Sequence, residues 1–107
     1  MRNWNVNPRK MCGKHLRGEH CECHMFIGTI KKKKKLNGYI DKGLVEVHNI
    51  AKRHDQLAVE MLRRGYKHAT RILAKDKKLL YKAGEIDSSK NILELCRRCR
   101  DCRKLLK

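Results

Sequence analysis

Near the start of the chain, in HLRGEHCECHMFIG from His15 to Gly28, a histidine and two glutamates stand at spacings that could do chemistry. Steps of three and four residues place His15, Glu19 and Glu22 close together on a helix surface. A carboxylate there can stabilise a developing positive charge or carry protons. Glu19 falls inside the apolar stripe of that helix and Glu22 along its edge, so something cationic must meet them, because an ionised carboxylate facing a core is costly alone. From spacing alone, a structural ion pair with one of the many Arg or Lys residues is the commoner outcome. A second candidate for chemistry is the C-x2-C-x2-C series Cys96, Cys99 and Cys102. Zinc needs four thiolate or imidazole ligands, and Cys12, Cys21, Cys23, His15, His20 or His24 could supply the fourth. The three cysteines also fit a buried apolar stripe, and that core reading outweighs zinc.

The elements that must position these residues read as helices. Asn7 and Pro8 start a first helix running to about residue 32, with Cys12, Leu16, Cys23, Phe26, Ile27 and Ile30 on its inner face. Upstream, Trp4 and Val6 can hold the N-terminal arm against the body. A second helix spans about Leu44 to Arg64, with Leu44, Val47, Ala51, Ala58, Met61 and Leu62 inward, His54 as a hydrogen-bonded core histidine and Gly65 as C-terminal cap. A third, capped by Ser88 or Ser89, carries Ile92, Leu95, Cys96, Cys99, Cys102 and Leu106 on one face. Residues 31–42 read as a basic loop. Residues 66–87 read as a poorly defined connector, in which Ile72, Leu73, Leu79 and Leu80 would face inward around a helical turn or two. The expected architecture is a single all-α domain, 1–107, of three main helices with the arm packed against them.

Composition narrows the partners. With 28 Lys and Arg against 11 Asp and Glu, a formal charge of +17 on 107 residues points to a polyanion, nucleic acid before an anionic membrane. Lys31, Lys32, Lys33, Lys34 and Lys35 form an unbroken run suited to phosphate contact. No apolar stretch is long enough to span a bilayer, and the N-terminal residues lack the pattern of a signal peptide. An intracellular protein, cytoplasmic or nucleoid-associated, whose six cysteines are reduced thiols or metal ligands is therefore expected.

Motif order adds a family. Met1-Arg2, K-H-L-x-G-E-H-x-E from Lys14 to Glu22, Gly28, and K-R-H-D-Q-L-A-V-E-M-L-R-R-G-Y from Lys52 to Tyr66 resemble the phage endonuclease V type of pyrimidine-dimer DNA glycosylase with AP-lyase activity. The resemblance covers about residues 1 to 66 and the C-terminal helix more loosely. It implies that the α-amino group of the first residue, Met1, attacks sugar C1′ to form a Schiff base, that Glu22 assists, and that β-elimination cuts the strand. It implies that Arg2 contacts DNA beside the nucleophile and that His15 and Glu19 line the same pocket. An α-amine suits such a role, since its reference pKa is about 7.7 to 8.0, well below that of lysine.

Duplex DNA, bent and with a nucleotide displaced, is the implied partner. Lys14, Lys31 to Lys35, Arg97, Arg100 and Lys104 would contact it, and a monomer is expected. No cofactor is required. The chain departs from the family pattern at Cys21 and Met25, where basic residues are usual, in its Cys-Arg series in place of an aromatic tail, and in starting at Met1 rather than at a small residue. Cleavage at abasic sites is accordingly the firmer expectation, ahead of dimer selectivity. The alternatives are a non-catalytic, zinc-stabilised nucleic-acid-binding module and a basic protein that only coats nucleic acid.

Overall fold

The computed structural model describes residues 1–67 and 70–106; positions 68 and 69, within the expected connector, and 107 lie outside them. Six helices are present among these residues: α1 (Gly13–Lys31), α2 (Asn37–Asp41), α3 (Ile50–Arg63), α4 (Ala74–Lys77), α5 (Ser88–Arg98) and α6 (Arg100–Leu106), with 3-10 turns at Pro8–Lys10 and Val47–Asn49. No strand occurs among the described residues, so the all-α expectation holds. A radius of gyration of 13.5 Å is close to the roughly 13 Å of a compact single domain of this length.

The apolar stripe of α1 packs against α3, and this pair frames the core. Leu16, Cys23, Phe26 and Ile27 are buried on α1, and Ile50, Leu57 and Met61 on α3, with Cys12 and Ile30 half-buried at the ends of the stripe. Trp4, Val6, Leu36, Val45, Val47, Ile72, Leu95 and Cys102 close the cluster. At the α3 C-terminus Gly65 adopts φ +86°, the left-handed cap that a side chain would strain.

The second helix motif, Lys52 to Tyr66, has a structural use for most of its polar residues. Arg53 turns inward to Glu19. Buried Glu60 accepts from Arg63 at 2.7 and 2.6 Å and from Arg64 at 2.6 Å. Those guanidiniums hold its carboxyl down at about 2. Arg64 then donates to the carbonyls of Pro8 and Arg9, fastening the N-terminal turn to the end of α3.

Several boundaries differ from the sequence reading. Asn7 caps only the 3-10 turn, and the chain breaks at Met11 and Cys12 before α1 begins. The second helix starts at Ile50 rather than Leu44, and Leu62 is exposed instead of facing inward. Inside the expected basic loop, Lys31 still belongs to α1 and residues 37–41 form a helical turn. Among the connector's described residues only α4 is helical; Ile72 is buried, whereas Leu73 and Leu79 face solvent. Its exit is set by Gly84, where φ is +90° and a Cβ would lie 2.1 Å from the Val45 carbonyl oxygen. Asp87, not either serine, caps α5 by accepting from the Lys90 amide at 3.1 Å. Finally, the expected third helix is two, broken at Cys99, whose extended backbone starts a new direction for α6.

Candidate active site

The N-terminal arm lies over α1 and is fixed by backbone and side-chain bonds rather than by regular structure. Asn3, buried, donates its amide to the Leu44 carbonyl at 2.7 Å and its Nδ2 to Cys23 Sγ at 3.4 Å. Asn91 on α5 is a double clamp. Its Nδ2 donates to the Trp4 carbonyl at 2.7 Å, and its Oδ1 accepts from Arg2 Nη2 at 2.7 Å. Ser88 donates to the Asn5 carbonyl at 3.0 Å, one residue further along. Trp4 is 5 % exposed, and the Arg2 guanidinium carbon lies 3.8 Å from its ring centroid.

These contacts leave a cleft of about 480 Å³ bounded by Met1, Arg2, Trp4, Leu44 and Arg98 on one side and by Lys14, His15, Gly18, Glu19 and Glu22 of α1 on the other. Gly18 keeps the α1 wall low, since a Cβ there would project into open space. Glu22 is half-buried in this wall. Burial raises its carboxyl above the ordinary carboxylate range, and the Arg2 backbone amide and the charge of the N-terminal amine partly offset that rise. Glu22 thus lies in the positive field of both the N-terminal amine and the Arg2 guanidinium. Arg2 is shifted downward, first by burial and then by the like charge of Arg98. Its buried Nε has no hydrogen-bond partner among the described residues.

Glu19 is met differently. Its carboxylate receives Arg53 Nε at 2.5 Å and Nη2 at 2.9 Å, with 0 % and 5 % of the two side chains exposed. The structural ion pair expected from spacing is therefore present at Glu19, whereas none forms at Glu22 among the described residues. His15 sits at the cleft edge, its ring 6.1 Å from that of Trp4 in a T-shaped contact. Burial, with Lys14 and Arg98 nearby, lowers its pKa.

The structure brings Met1, Arg2, Lys14, His15, Glu19 and Glu22 to one cleft. Lys32, Lys33, Lys34 and Lys35 are exposed elsewhere, and Lys31 pairs with Asp76 at 3.5 Å. Arg97, Arg100 and Lys104 lie exposed on α5 and α6, with Arg97 tied to Glu94 at 2.6 Å. Sequence reasoning missed Arg98 and Asn91. Their spacing from Leu95 on the inner side of α5, three residues after it and four before, was the signal available. Buried His54 spans Asp55 and the Thr70 carbonyl at 2.9 and 3.2 Å, as expected of a core histidine. Its ring also lies 4.5 and 4.7 Å from those of His20 and His24. Among the described residues, two sets of side chains could hold a metal: these three histidines, and Cys12, His15, Cys99 and Cys102. Cys96 joins neither.

A family model described as pyrimidine dimer DNA glycosylase matches residues 1–73, which carry the arm and α1 to α3. The chain belongs to that family. No curated protein and no solved structure matches it at a significant level. The matched span contains both glutamates of the cleft and the Arg53 that secures one of them, while α5 and α6, which hold the arm from behind, lie outside it. Among the described residues, no helix is long and apolar enough to cross a membrane.

Proposed function

We propose that this pyrimidine dimer DNA glycosylase also cleaves the strand as an AP lyase, with the α-amine of Met1 as nucleophile and Glu22 as the catalytic carboxylate. The amine attacks C1′ of the damaged or abasic nucleotide, and loss of the base or of water leaves an imine. The imine acidifies the adjacent C2′ hydrogen. Removal of that proton expels the 3′ phosphate by β-elimination. Glu22 stabilises the cationic sugar as the base departs and moves protons at C1′ and C2′. The observation that carries this reading is the meeting of the N-terminal charge, the Arg2 amide and the half-buried Glu22 carboxyl in one cationic cleft.

Duplex DNA supplies the phosphates. Arg2, whose buried Nε lacks a protein partner among the described residues, Lys14, His15 and Arg98 flank the reacting nucleotide, while Glu19 keeps α1 and α3 in register through Arg53. Lys31 to Lys35, Arg97, Arg100 and Lys104 contact phosphates further out, fixing register without reading sequence. The protein acts as a monomer, and its mechanism requires the Met1 amine to be free. Borohydride reduction with an abasic duplex should trap a covalent adduct that maps to Met1. Glu22→Gln should still bind the duplex yet form little adduct. Failure to trap, or an adduct that survives blocking of the α-amine, overturns the mechanism.

A further inference from the structure

Four side chains, one of them the His15 that also borders the cleft, converge where the two ends of the chain meet. Cys12 is the residue before α1, His15 lies in its first turn, Cys99 occupies the break between α5 and α6, and Cys102 lies in the first turn of α6. Their ligand atoms all lie within 4.8 Å of one another. The geometry points to a structural zinc site, Cys12, His15, Cys99 and Cys102, that fastens the C-terminal helix to the start of α1.

Three of the six ligand–ligand distances lie within about 0.3 Å of the edges of a tetrahedral zinc site, and the other three are under 4.8 Å. A tetrahedral site with Zn–S of about 2.3 Å and Zn–N of about 2.0–2.1 Å has S···S edges of about 3.8 Å and S···N edges of about 3.5 Å. Cys12 Sγ lies 3.8 Å from Cys99 Sγ, and His15 Nδ1 lies 3.2 Å from Cys12 Sγ and 3.6 Å from Cys102 Sγ. The two ligand pairs are short local turns, C-x2-H and C-x2-C, the loop size that lets neighbouring ligands bite one ion. Outer-shell support is also built in. The Cys12 amide donates to Cys102 Sγ at 3.3 Å and the Cys102 amide to Cys99 Sγ at 3.4 Å, as backbone amides do around metal thiolates.

The break at Cys99 acquires a reason from this. The extended residue at Cys99 ends α5 and lets α6 take a new direction, and in this arrangement the sulfurs of Cys99 and Cys102 both lie within 4.8 Å of that of Cys12. Cys96 stays one turn away and is not a ligand. Since His15 also lines the cleft, the ion would fix one wall of the cleft from outside it.

Metal content tests this independently of any activity. The full chain, purified without chelator and dialysed against excess zinc chloride and then metal-free buffer, should retain one zinc per chain. Exchange for cobalt(II) should give the intense visible bands of tetrahedral coordination with a thiolate charge-transfer band. Cys12→Ser, Cys99→Ser and Cys102→Ser should each weaken zinc, in chelator competition, by more than the roughly 10–100-fold typical of losing an outer-shell partner. Cys21→Ser and Cys96→Ser should leave it unchanged. Substoichiometric zinc, the weak spectrum of octahedral cobalt, a Cys12–Cys99 disulfide in the purified protein, or unaltered affinity in Cys99→Ser overturns the site. If the ligand variants do not fold, the cobalt spectrum of the parent chain decides alone.

Discussion

Replacing Arg53 with methionine isolates the buried ion pair that underlies the cleft. Both N–H···O bonds of the fork are lost, and Glu19, 0 % exposed at its side chain, is left in the buried interior without its paired cation. Breaking a buried pair from one side costs about 3–5 kcal/mol, because the remaining charge keeps its desolvation penalty without compensation. For a domain whose whole stability is on the order of 5–15 kcal/mol, that lowers the melting temperature by on the order of 10–20 °C. Urea unfolding followed by circular dichroism reads the cost directly. The double variant Glu19→Leu, Arg53→Met should recover most of it, since two apolar side chains of similar volume remove the stranded charge. The coupling between the two sites should then be of the same order as the single cost. A loss below about 1 kcal/mol for Arg53→Met, or a double variant that merely sums the two singles, would refute the argument that this pair is desolvated and mutually dependent.

Other consequences follow from the same geometry. Asn91→Ala removes the bonds to Arg2 and to the Trp4 carbonyl, so it should destabilise by about 2–4 kcal/mol and slow borohydride trapping, with smaller loss of DNA affinity, as gel-shift and trapping assays would register. Glu22 has its carboxyl raised by burial, so its ionisation disfavours the folded state as pH rises through the folded pKa. Glu22→Gln should therefore be as stable as the parent or more so at neutral pH while losing lyase activity, and a clear destabilisation would contradict that sign. Glu60 is held at about 2, so its contribution is present above the ordinary carboxylate range and is lost as pH falls towards that value. The gap in urea midpoint between parent and Glu60→Gln should accordingly close on acidification. Replacing Lys32 to Lys35 with glutamine should flatten the log–log salt dependence of duplex binding by up to about 3.6 if all four touch phosphate, measured by fluorescence anisotropy; an unchanged slope would place the DNA elsewhere.

The order of the helices, their buried faces and the chemistry on offer were legible in the chain because they are local. Leu16, Cys23, Phe26 and Ile27 recur at helical spacing, Gly65 follows the last turn of α3, and Glu19 and Glu22 stand at fixed offsets along one helix. The excess of Lys and Arg likewise needed no coordinates to point at a polyanion. What the sequence alone could not decide was which distant group answers each of these. Glu19 had many cations to choose from, and only the packing of α1 on α3 selects Arg53, 34 residues away. Asp87 displaces two serines as cap by a single turn of loop geometry, and Cys99 breaks a pattern that periodicity alone would continue. Cys12 meets Cys99, and His15 meets Cys102, across 87 residues. Periodicity says which face of a helix is buried, whereas the partners of a buried polar group are set by long-range packing, and this cleft and the sulfur cluster behind it consist of such partners.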